Sequence, residues 1–212
     1  MIKNLADKFQ YRSPEFGNKT GLSKGETEFA IAIIGCGAAG VATLFSLLDS
    51  LPFKSEKKIR IAIYEKGPAF GSGFAYQCDS GELLMNMVSS TTSIIQNQEC
   101  DFWNWMLDEG CNFGGDQIFS KSGIAPDGYV SRQYFGVYLR SRLEAAILAL
   151  EESGIEVRLI NLEVLNVIVM SSGCFEIICS GDRIEEFDCV ILCIGNQPPE
   201  DLFNLKGKRS EE

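Results

Sequence analysis

The residues with the clearest chemical meaning form the segment Gly35-Cys36-Gly37-Ala38-Ala39-Gly40, which has the spacing G-x-G-x-x-G. A β-branched run precedes this segment and an apolar helical pattern follows it, as the motif requires. Gly35 allows a sharp turn, Gly37 lets the backbone approach a pyrophosphate, and Gly40 permits close packing of helix on strand. The N–H groups at the amino end of the helix would bind an anion without Lys or Arg. The segment predicts a site for the phosphates of a dinucleotide.

An acidic residue, Glu65, stands at the end of the next predicted strand. Its carboxylate would accept hydrogen bonds from a ribose diol and repel a 2′-phosphate, which favours FAD or NAD over NADP. We predict that the three glycines of the turn, Ala38, Ala39, Glu65 and the adjacent Lys66 contact the cofactor. The alternative, a glycine-rich turn beside a surface glutamate, is disfavoured by the matching context.

Three elements must position these residues. Ala30 to Ile34 is predicted to be a buried strand, Ala38 to Ser50 a helix, and Ile59 to Glu65 a second strand, which together make a βαβ unit. The stretch from Gly67 to Gly81 is too long for a simple hairpin, so we predict that it is a ligand loop.

The rest of the chain predicts further helices and strands. Asp101 to Glu109 is predicted to be a short helix with Asp101 as its N-cap, and Ser131 to Ser153 a longer helix that stops at Gly154. Asp188 to Ile194 is predicted to be a central parallel strand. Shorter strands are predicted at 155–163, 164–170, 174–179 and near 184, three of them in an antiparallel meander. The pattern predicts an α/β, Rossmann-like domain with a central parallel sheet, crossover helices and a small antiparallel β-meander.

Length and charge limit the partners. The 212 residues can form one large domain, which we place at 29–198, between a flexible arm at 1–28 and a polar tail at 199–212. A net charge of -10 argues against nucleic acid and anionic membranes as partners. Phe29 to Leu48 lacks charge and is long enough to span a membrane, but its glycine turn favours a buried strand and helix. Without a signal peptide, the cysteines indicate a reducing, cytoplasmic compartment.

Other reactive constellations are weak. The sequence contains no His, which removes the usual general base and the imidazole metal ligand, so no metal site is predicted. Its eight cysteines include no C-x-x-C pair. Cys189 and Cys193 would lie about 13 Å apart along one strand, too far for a disulfide. We nominate no catalytic acid or base, which a flavin enzyme tolerates because its cofactor carries the electron chemistry.

Several segments in addition to the glycine motif resemble the FAD-NAD(P)-binding family of glutathione-reductase-like flavoproteins, which includes flavin-dependent hydroxylases. The segments that carry the resemblance are Gly71-Ser72-Gly73-Phe74-Ala75-Tyr76, Leu83-Leu84-Met85-Asn86, Asp101-Phe102 with Trp105, Arg132 to Leu139, and Val190 to Gly195. Their order and spacing cover roughly residues 29 to 198. The resemblance implies a Rossmann-like FAD-binding domain with FAD as cofactor and NAD(P)H as a candidate electron donor.

The resemblance also implies site residues. Gly73, Tyr76 and Asn86 would approach the ribityl or isoalloxazine end of FAD, and Gly195 would lie near the pyrophosphate. Arg132 would contact a phosphate or the loop, or else pair with a neighbouring carboxylate on the surface.

The sequence also departs from the family pattern. Cys36 stands where the family usually has Ala or Gly, and Cys193-Ile194 replaces a small residue and a Thr before Gly195. Loss of that hydroxyl weakens the expected contact there. The chain ends about where the first half of such a flavoprotein ends.

Three hypotheses follow. The first is an FAD-binding oxidoreductase of monooxygenase-like type, or the FAD-binding portion of one, with a second chain or a homo-oligomer completing the site. The second is a non-catalytic nucleotide-binding subunit or interaction module. The third is an NAD-binding dehydrogenase domain, which the Gly71 to Tyr76 loop supports less well.

Overall fold

A computed structural model describes the chain at residues 28–51, 57–77, 83–108 and 125–195. The predicted tail at 199–212, and the predicted arm except for its last residue, lie outside these ranges. Within them, no helix combines the length and the apolar character that crossing a membrane requires.

The centre of the molecule is a four-stranded parallel sheet, in which the first strand of the chain lies between the second and the last. Its strands are β1 (Glu28–Ile34), β2 (Lys58–Tyr64), β3 (Glu156–Ile160) and β7 (Cys189–Leu192). β1 and β2 are buried along most of their length, as expected for strands covered on both faces. The central parallel sheet predicted from sequence is confirmed.

The order of the strands creates a switch point at the end of β1. The chain proceeds from β1 to β2 and β3 on one side of β1 and then returns to β7 on its other side. In open α/β sheets, ligands bind beyond the carboxyl ends of the strands at such a point. The glycine segment 35–40 begins directly after β1, at this position.

Helices α1 (Ala38–Ser50), α2 (Asp101–Asp108) and α3 (Arg132–Glu152) follow the predicted pattern. α1 and α3 cover one face of the sheet. The core that they form with β1 and β2 contains Ile31, Ile33, Val41, Leu44, Ile61, Ile63, Leu143, Ile147 and Leu150. The Ser131 side chain accepts a hydrogen bond from the Gln133 N–H and caps α3.

The opposite face of the sheet is covered by an antiparallel meander of β4 (Val164–Val169), β5 (Phe175–Cys179) and β6 (Arg183–Phe187). Small side chains on this face let the meander approach. The core between the two sheets includes Ala30, Ala32, Ala62, Tyr64, Ile177, Cys179 and Phe187. The predicted meander is therefore confirmed, and it forms the third layer of the domain.

The short helix α2 differs from its prediction in one respect. Asp101 is inside the helix and is not its N-cap. Its carboxylate accepts hydrogen bonds from the Tyr138 hydroxyl at 2.6 Å and from Arg142 Nε and Nη2 at 2.7 and 2.9 Å. The N-cap prediction is wrong because the Arg142 guanidinium and the Tyr138 hydroxyl on α3 bind the carboxylate. Burial raises the pKa of the Tyr138 hydroxyl, and its hydrogen bond to Asp101 raises it further.

Aromatic side chains hold α2 against α3. Phe102 and Trp105 from α2 meet Phe135 and Tyr138 from α3, with ring centroids 5.0 to 5.7 Å apart. The aromatic residues of the short helix therefore anchor it to α3.

A buried charge cluster joins the meander to the parallel sheet. The Arg60 guanidinium on β2 lies 3.4 Å from the Glu28 carboxylate, 3.8 Å from that of Glu185, and 5.1 Å from the centre of the Phe187 ring. Arg183 also pairs with Glu185. The side chains of Arg60 and Glu185 are 7% and 5% exposed, so their charges depend on one another rather than on water.

We predict that Glu185→Ala lowers the free energy of unfolding by about 3 kcal/mol, because it leaves two guanidinium groups without their buried partner. Urea denaturation followed by circular dichroism measures this change. The matched control is Glu156→Gln in the more exposed Lys58–Glu156 pair, whose loss should cost less than about 1 kcal/mol. Equal effects of the two substitutions would contradict the burial argument.

Candidate dinucleotide site

The turn after β1 has room only for glycine at its first position. Gly35 has φ +98° and its N–H donates to the Tyr64 carbonyl at 2.8 Å. A Cβ at Gly35 would lie 2.2 Å from the Cys193 carbonyl oxygen. The turn therefore passes directly between the ends of β2 and β7.

Helix α1 begins at this turn with an open amino end. Gly37 is its N-cap, and among the described residues no side chain caps the helix and no acidic residue lies in its first turn. A Cβ at Gly40 would lie 2.4 Å from the Gly35 carbonyl oxygen, so Gly40 permits the close packing of helix on turn. Ala39 is exposed. The helix presents N–H groups and positive dipole potential that an anion can reach.

Glu65 lies against the same turn. Its Oε2 accepts a hydrogen bond from the Cys36 N–H at 2.9 Å, and its Oε1 accepts one from the Gly67 N–H at 2.8 Å. The predicted acidic residue is therefore held beside the glycine turn by two backbone donors. Each carboxylate oxygen retains a lone pair for a further donor.

Asn161 is a residue of this region that the sequence analysis missed. Its amide nitrogen donates to the carbonyl oxygens of Glu65 and Gly67, both at 2.7 Å, and so fixes the turn that carries the acidic residue. Its position directly after a strand that pairs with β2 was the available signal. Lys66, by contrast, is largely exposed, and its ammonium lies 3.7 Å from the Glu163 carboxylate.

The loop at 71–76 closes onto the glycine turn. The Gly71 N–H donates to the Cys36 carbonyl at 2.7 Å. Gly73 has φ +58°, and a Cβ there would lie 2.9 Å from Gly37 Cα. Two glycines thus face each other, so the open side of Gly37 is shared between this loop and whatever ligand approaches the turn.

The end of this loop is fixed by α3. The Tyr76 ring lies 4.8 Å from the Phe135 ring, and a Cβ at Gly136 would lie 2.1 Å from the Tyr76 carbonyl oxygen. Tyr76 and Ala38 both pack against the apolar cluster around Phe135. The structure therefore brings the glycine turn and the predicted loop together through one cluster.

The segment at 83–87 runs beside the start of α3. The Arg132 N–H donates to the Leu83 carbonyl at 2.7 Å, and its Nε donates to the Leu84 carbonyl at 3.1 Å. The structure places Arg132 against the segment at 83–84, and the contacts expected with a phosphate, with the loop at 71–76 or with a neighbouring carboxylate stay predictions. Asn86 in this segment is exposed.

The residues after β7 complete the edge of the site. Gly195 has φ +66° and is exposed, and a Cβ there would meet nothing within 4 Å. Cys193 Sγ lies 3.5 Å from Thr43 Oγ1 on α1. The cysteine that departs from the family pattern therefore joins strand to helix, where a sulfur is small enough to fit.

Cys36 lies inside the turn and is fully buried. Burial, with the Glu65 carboxylate and Cys193 nearby, raises the pKa of the Cys36 thiol to about 12, although a hydrogen bond with the Gly71 backbone opposes the shift. The thiol is protonated and inert at neutral pH. The described cysteines, which exclude Cys78 and Cys111, are all free.

Across the described ranges, no group of three or more Cys, Asp or Glu side chains could hold a metal ion. The chemistry that the arrangement supports is binding: an open helix terminus for phosphates, an acidic residue for a diol, and a rigid loop beside both. These features fit a dinucleotide.

Comparisons with known proteins agree with this geometry. A family model described as FAD-NAD(P)-binding matches residues 32–197. A search of curated proteins found no match. Solved structures that resemble the chain have low identities and TM-scores below 0.5, so no argument rests on them.

Three of these structures illustrate the likeness. The closed crystal structure of a cyclohexanone monooxygenase has 14% identity and a TM-score of 0.48 over 82% of this chain and 28% of that one. The enzyme from Rhodococcus sp. Phi1 bound to NADP+ has 15% identity and a TM-score of 0.48 over 82% and 28%. A bacillithiol disulfide reductase from Staphylococcus aureus has 17% identity and a TM-score of 0.44 over 78% and 38%. The chain spans less than a third of the length of these monooxygenases.

We predict that Cys36 resists alkylation by iodoacetamide at pH 8 in the native protein, whereas the exposed Cys100 reacts. The native state holds a proton that the unfolded chain releases, so the thiol should also make stability fall as the pH rises from about 9 toward 12. Peptide mass spectrometry before and after denaturation measures the labelling. Equal labelling of the two cysteines in the native protein would refute the buried position.

We also predict that Gly136→Ala weakens FAD binding at least about tenfold, although alanine is the better helix former. The added methyl group would overlap the Tyr76 carbonyl, so the loop at 71–76 must move away from the glycine turn. Calorimetric titration with FAD measures the affinity. Leu148→Ala, on the exposed side of the same helix, is the control and should bind as the original protein does. Unchanged affinity in Gly136→Ala would show that the loop does not contribute to binding.

Proposed function

The chain belongs to the FAD-NAD(P)-binding family, and from this membership we propose that it forms the FAD-binding part of an FAD-dependent oxidoreductase of monooxygenase-like type. The reaction of the whole protein is itself proposed, because membership of the family establishes a type of cofactor and not a substrate.

One observation carries the proposal: the uncapped amino end of α1 opens at the switch point of the parallel sheet. A pyrophosphate placed there would accept hydrogen bonds from the first N–H groups of α1 and would be stabilised by the helix dipole. The chain has a net charge of -10, so a local backbone site is the means by which it can hold a dianion. We assign the pyrophosphate contacts to Gly37, Ala38, Ala39 and Gly195.

Glu65 is assigned to the adenosine ribose. Two backbone N–H groups fix its carboxylate beside the turn, and both oxygens can still accept a bond from a ribose hydroxyl. A 2′-phosphate would bring negative charge against this carboxylate, so the site favours FAD over NADP. Lys66 is assigned to the rim of the same pocket.

The loop at 71–76, together with Asn86, is assigned to the flavin half of the cofactor. The loop is held against the glycine turn by the Gly71–Cys36 hydrogen bond, so a dinucleotide that lies on the turn must pass along it. Arg132 keeps the segment before Asn86 in place through the Leu84 carbonyl. When bound, the flavin would supply the electron transfer, while these residues bind and orient it.

Three further parts of the proposal concern the context of the protein. NAD(P)H is the proposed electron donor, a second chain or second copy completes the site, and the protein works in the cytoplasm. An NAD-binding dehydrogenase and a non-catalytic nucleotide-binding module are the competing functions.

We predict that the purified chain binds FAD close to one equivalent and that NADH or NADPH reduces the bound flavin. The visible spectrum, chromatography of the nucleotide released by denaturation, and anaerobic titration measure the two steps. Glu65→Ala should weaken FAD binding roughly tenfold, since it removes a charge-assisted contact with the ribose. Bound FAD that neither donor reduces would favour the non-catalytic module, whereas binding of NAD without FAD would favour the dehydrogenase.

A further inference from the structure

We propose that the ring of Phe74 forms the surface against which the isoalloxazine ring of FAD lies, and that this contact makes the site select FAD over nucleotides without a flavin. The inference rests on the proposed function, because it assumes that a dinucleotide occupies the glycine turn. It goes further by naming the side chain that distinguishes the flavin half.

Phe74 is 94% exposed, the largest exposure among the large apolar side chains in the described ranges. The neighbouring aromatic residues are packed: Phe70, just before the loop, is 7% exposed, and Tyr76 in the loop packs against Phe135. Isolated exposed apolar side chains are common on protein surfaces, so exposure alone does not indicate a ligand. The position of this side chain does.

Phe74 follows directly after Gly73, which lies against the glycine turn. A Cβ at Gly73 would lie 2.9 Å from Gly37 Cα, and successive Cα atoms are about 3.8 Å apart across a trans peptide. The Phe74 side chain therefore starts within about 10 Å of the turn, on the loop that borders it. A ligand whose pyrophosphate lies at Gly37 has its second half within reach of this ring.

The backbone from which the Phe74 ring projects is held at both ends of the loop. One end is held by the hydrogen bond from the Gly71 N–H to the Cys36 carbonyl at 2.7 Å. The other end is a single helical turn, Phe74–Tyr76, whose last carbonyl lies against Gly136 on α3. Because the backbone of the loop is already held, binding need order only the Phe74 side chain.

The chemistry of the ring limits the ligand group to a flat apolar face, and because Glu65 is assigned to the adenosine half, that face belongs to the flavin. Phe74 has no hydrogen-bonding atoms in its side chain, so it can recognise an apolar face but not a phosphate or a sugar hydroxyl. The isoalloxazine ring is planar, aromatic and large, and aromatic rings stabilise one another in stacked and edge-to-face arrangements. ADP shares the adenosine and pyrophosphate of FAD but lacks this ring. Loss of the Phe74 ring should therefore affect FAD and spare ADP.

The test compares FAD and ADP binding to the whole chain by isothermal titration calorimetry. We expect Phe74→Ala to weaken FAD binding roughly tenfold, through loss of ring stacking and apolar contact, and to change ADP binding less than about twofold. Phe74→Trp should bind FAD about as tightly as the original protein does, because it keeps an aromatic ring at this position. It should also quench the fluorescence of the bound flavin, because an indole quenches a flavin that it touches. Leu165→Ala, at an exposed site on β4, is the matched control and should leave both affinities unchanged.

The outcomes separate this inference from the proposed function. If the original protein binds ADP but not FAD, both fall. If it binds FAD, and Phe74→Ala binds FAD with unchanged affinity, the proposed function survives and the inference is overturned. Equal weakening of FAD and ADP also overturns it, because Phe74 would then only hold the loop. Circular dichroism of each variant identifies misfolding. If Phe74→Ala misfolds, the flavin fluorescence of Phe74→Trp decides: quenched fluorescence supports the inference, and unquenched fluorescence overturns it.

Discussion

Close approach of backbone to backbone is the constraint on which the rest of the site depends. Gly35 lies against the Cys193 carbonyl, Gly40 against Gly35, and Gly73 against Gly37, at separations that leave no room for a Cβ. Each contact joins a different pair of segments, so the glycines set the positions of β1, α1, β7 and the loop at 71–76 relative to one another. The side chains of the site then add charge and shape to this arrangement of the backbone.

The two faces of the parallel sheet solve different packing problems. The face toward α1 and α3 carries large aliphatic side chains, which fill the space between sheet and helices. The face toward the meander carries alanines at 30, 32 and 62, so the second sheet can come close. The interface between the two sheets also holds Arg60 on β2 and Glu185 on β6, whose charges position the meander while the apolar contacts provide most of the burial.

The sequence allowed the elements of the fold to be predicted where local signals were strong. The bounds of α1, the glycine turn and the meander follow from periodicity and from glycine spacing, which are local properties. Asp101 was assigned the wrong role because its partners, Tyr138 and Arg142, are distant in sequence. Asn161 was missed for the same reason: its two acceptors lie more than ninety residues earlier. Long-range partners of polar side chains cannot be read from spacing.

The glycine contacts also connect α3 to the amino end of α1. Gly136 lies against Tyr76, the loop runs back to Gly73, and Gly73 lies against Gly37 at the N-cap of α1. Every contact in this series is backbone against backbone or a glycine Cα, so no flexible side chain can absorb a displacement. A shift of α3 would therefore press on the loop at 71–76 and, through Gly73, on the amino end of α1. The Asp101 carboxylate on α2 binds Tyr138 and Arg142 on α3. The aromatic cluster is therefore connected to the glycine turn through α3 and the loop at 71–76.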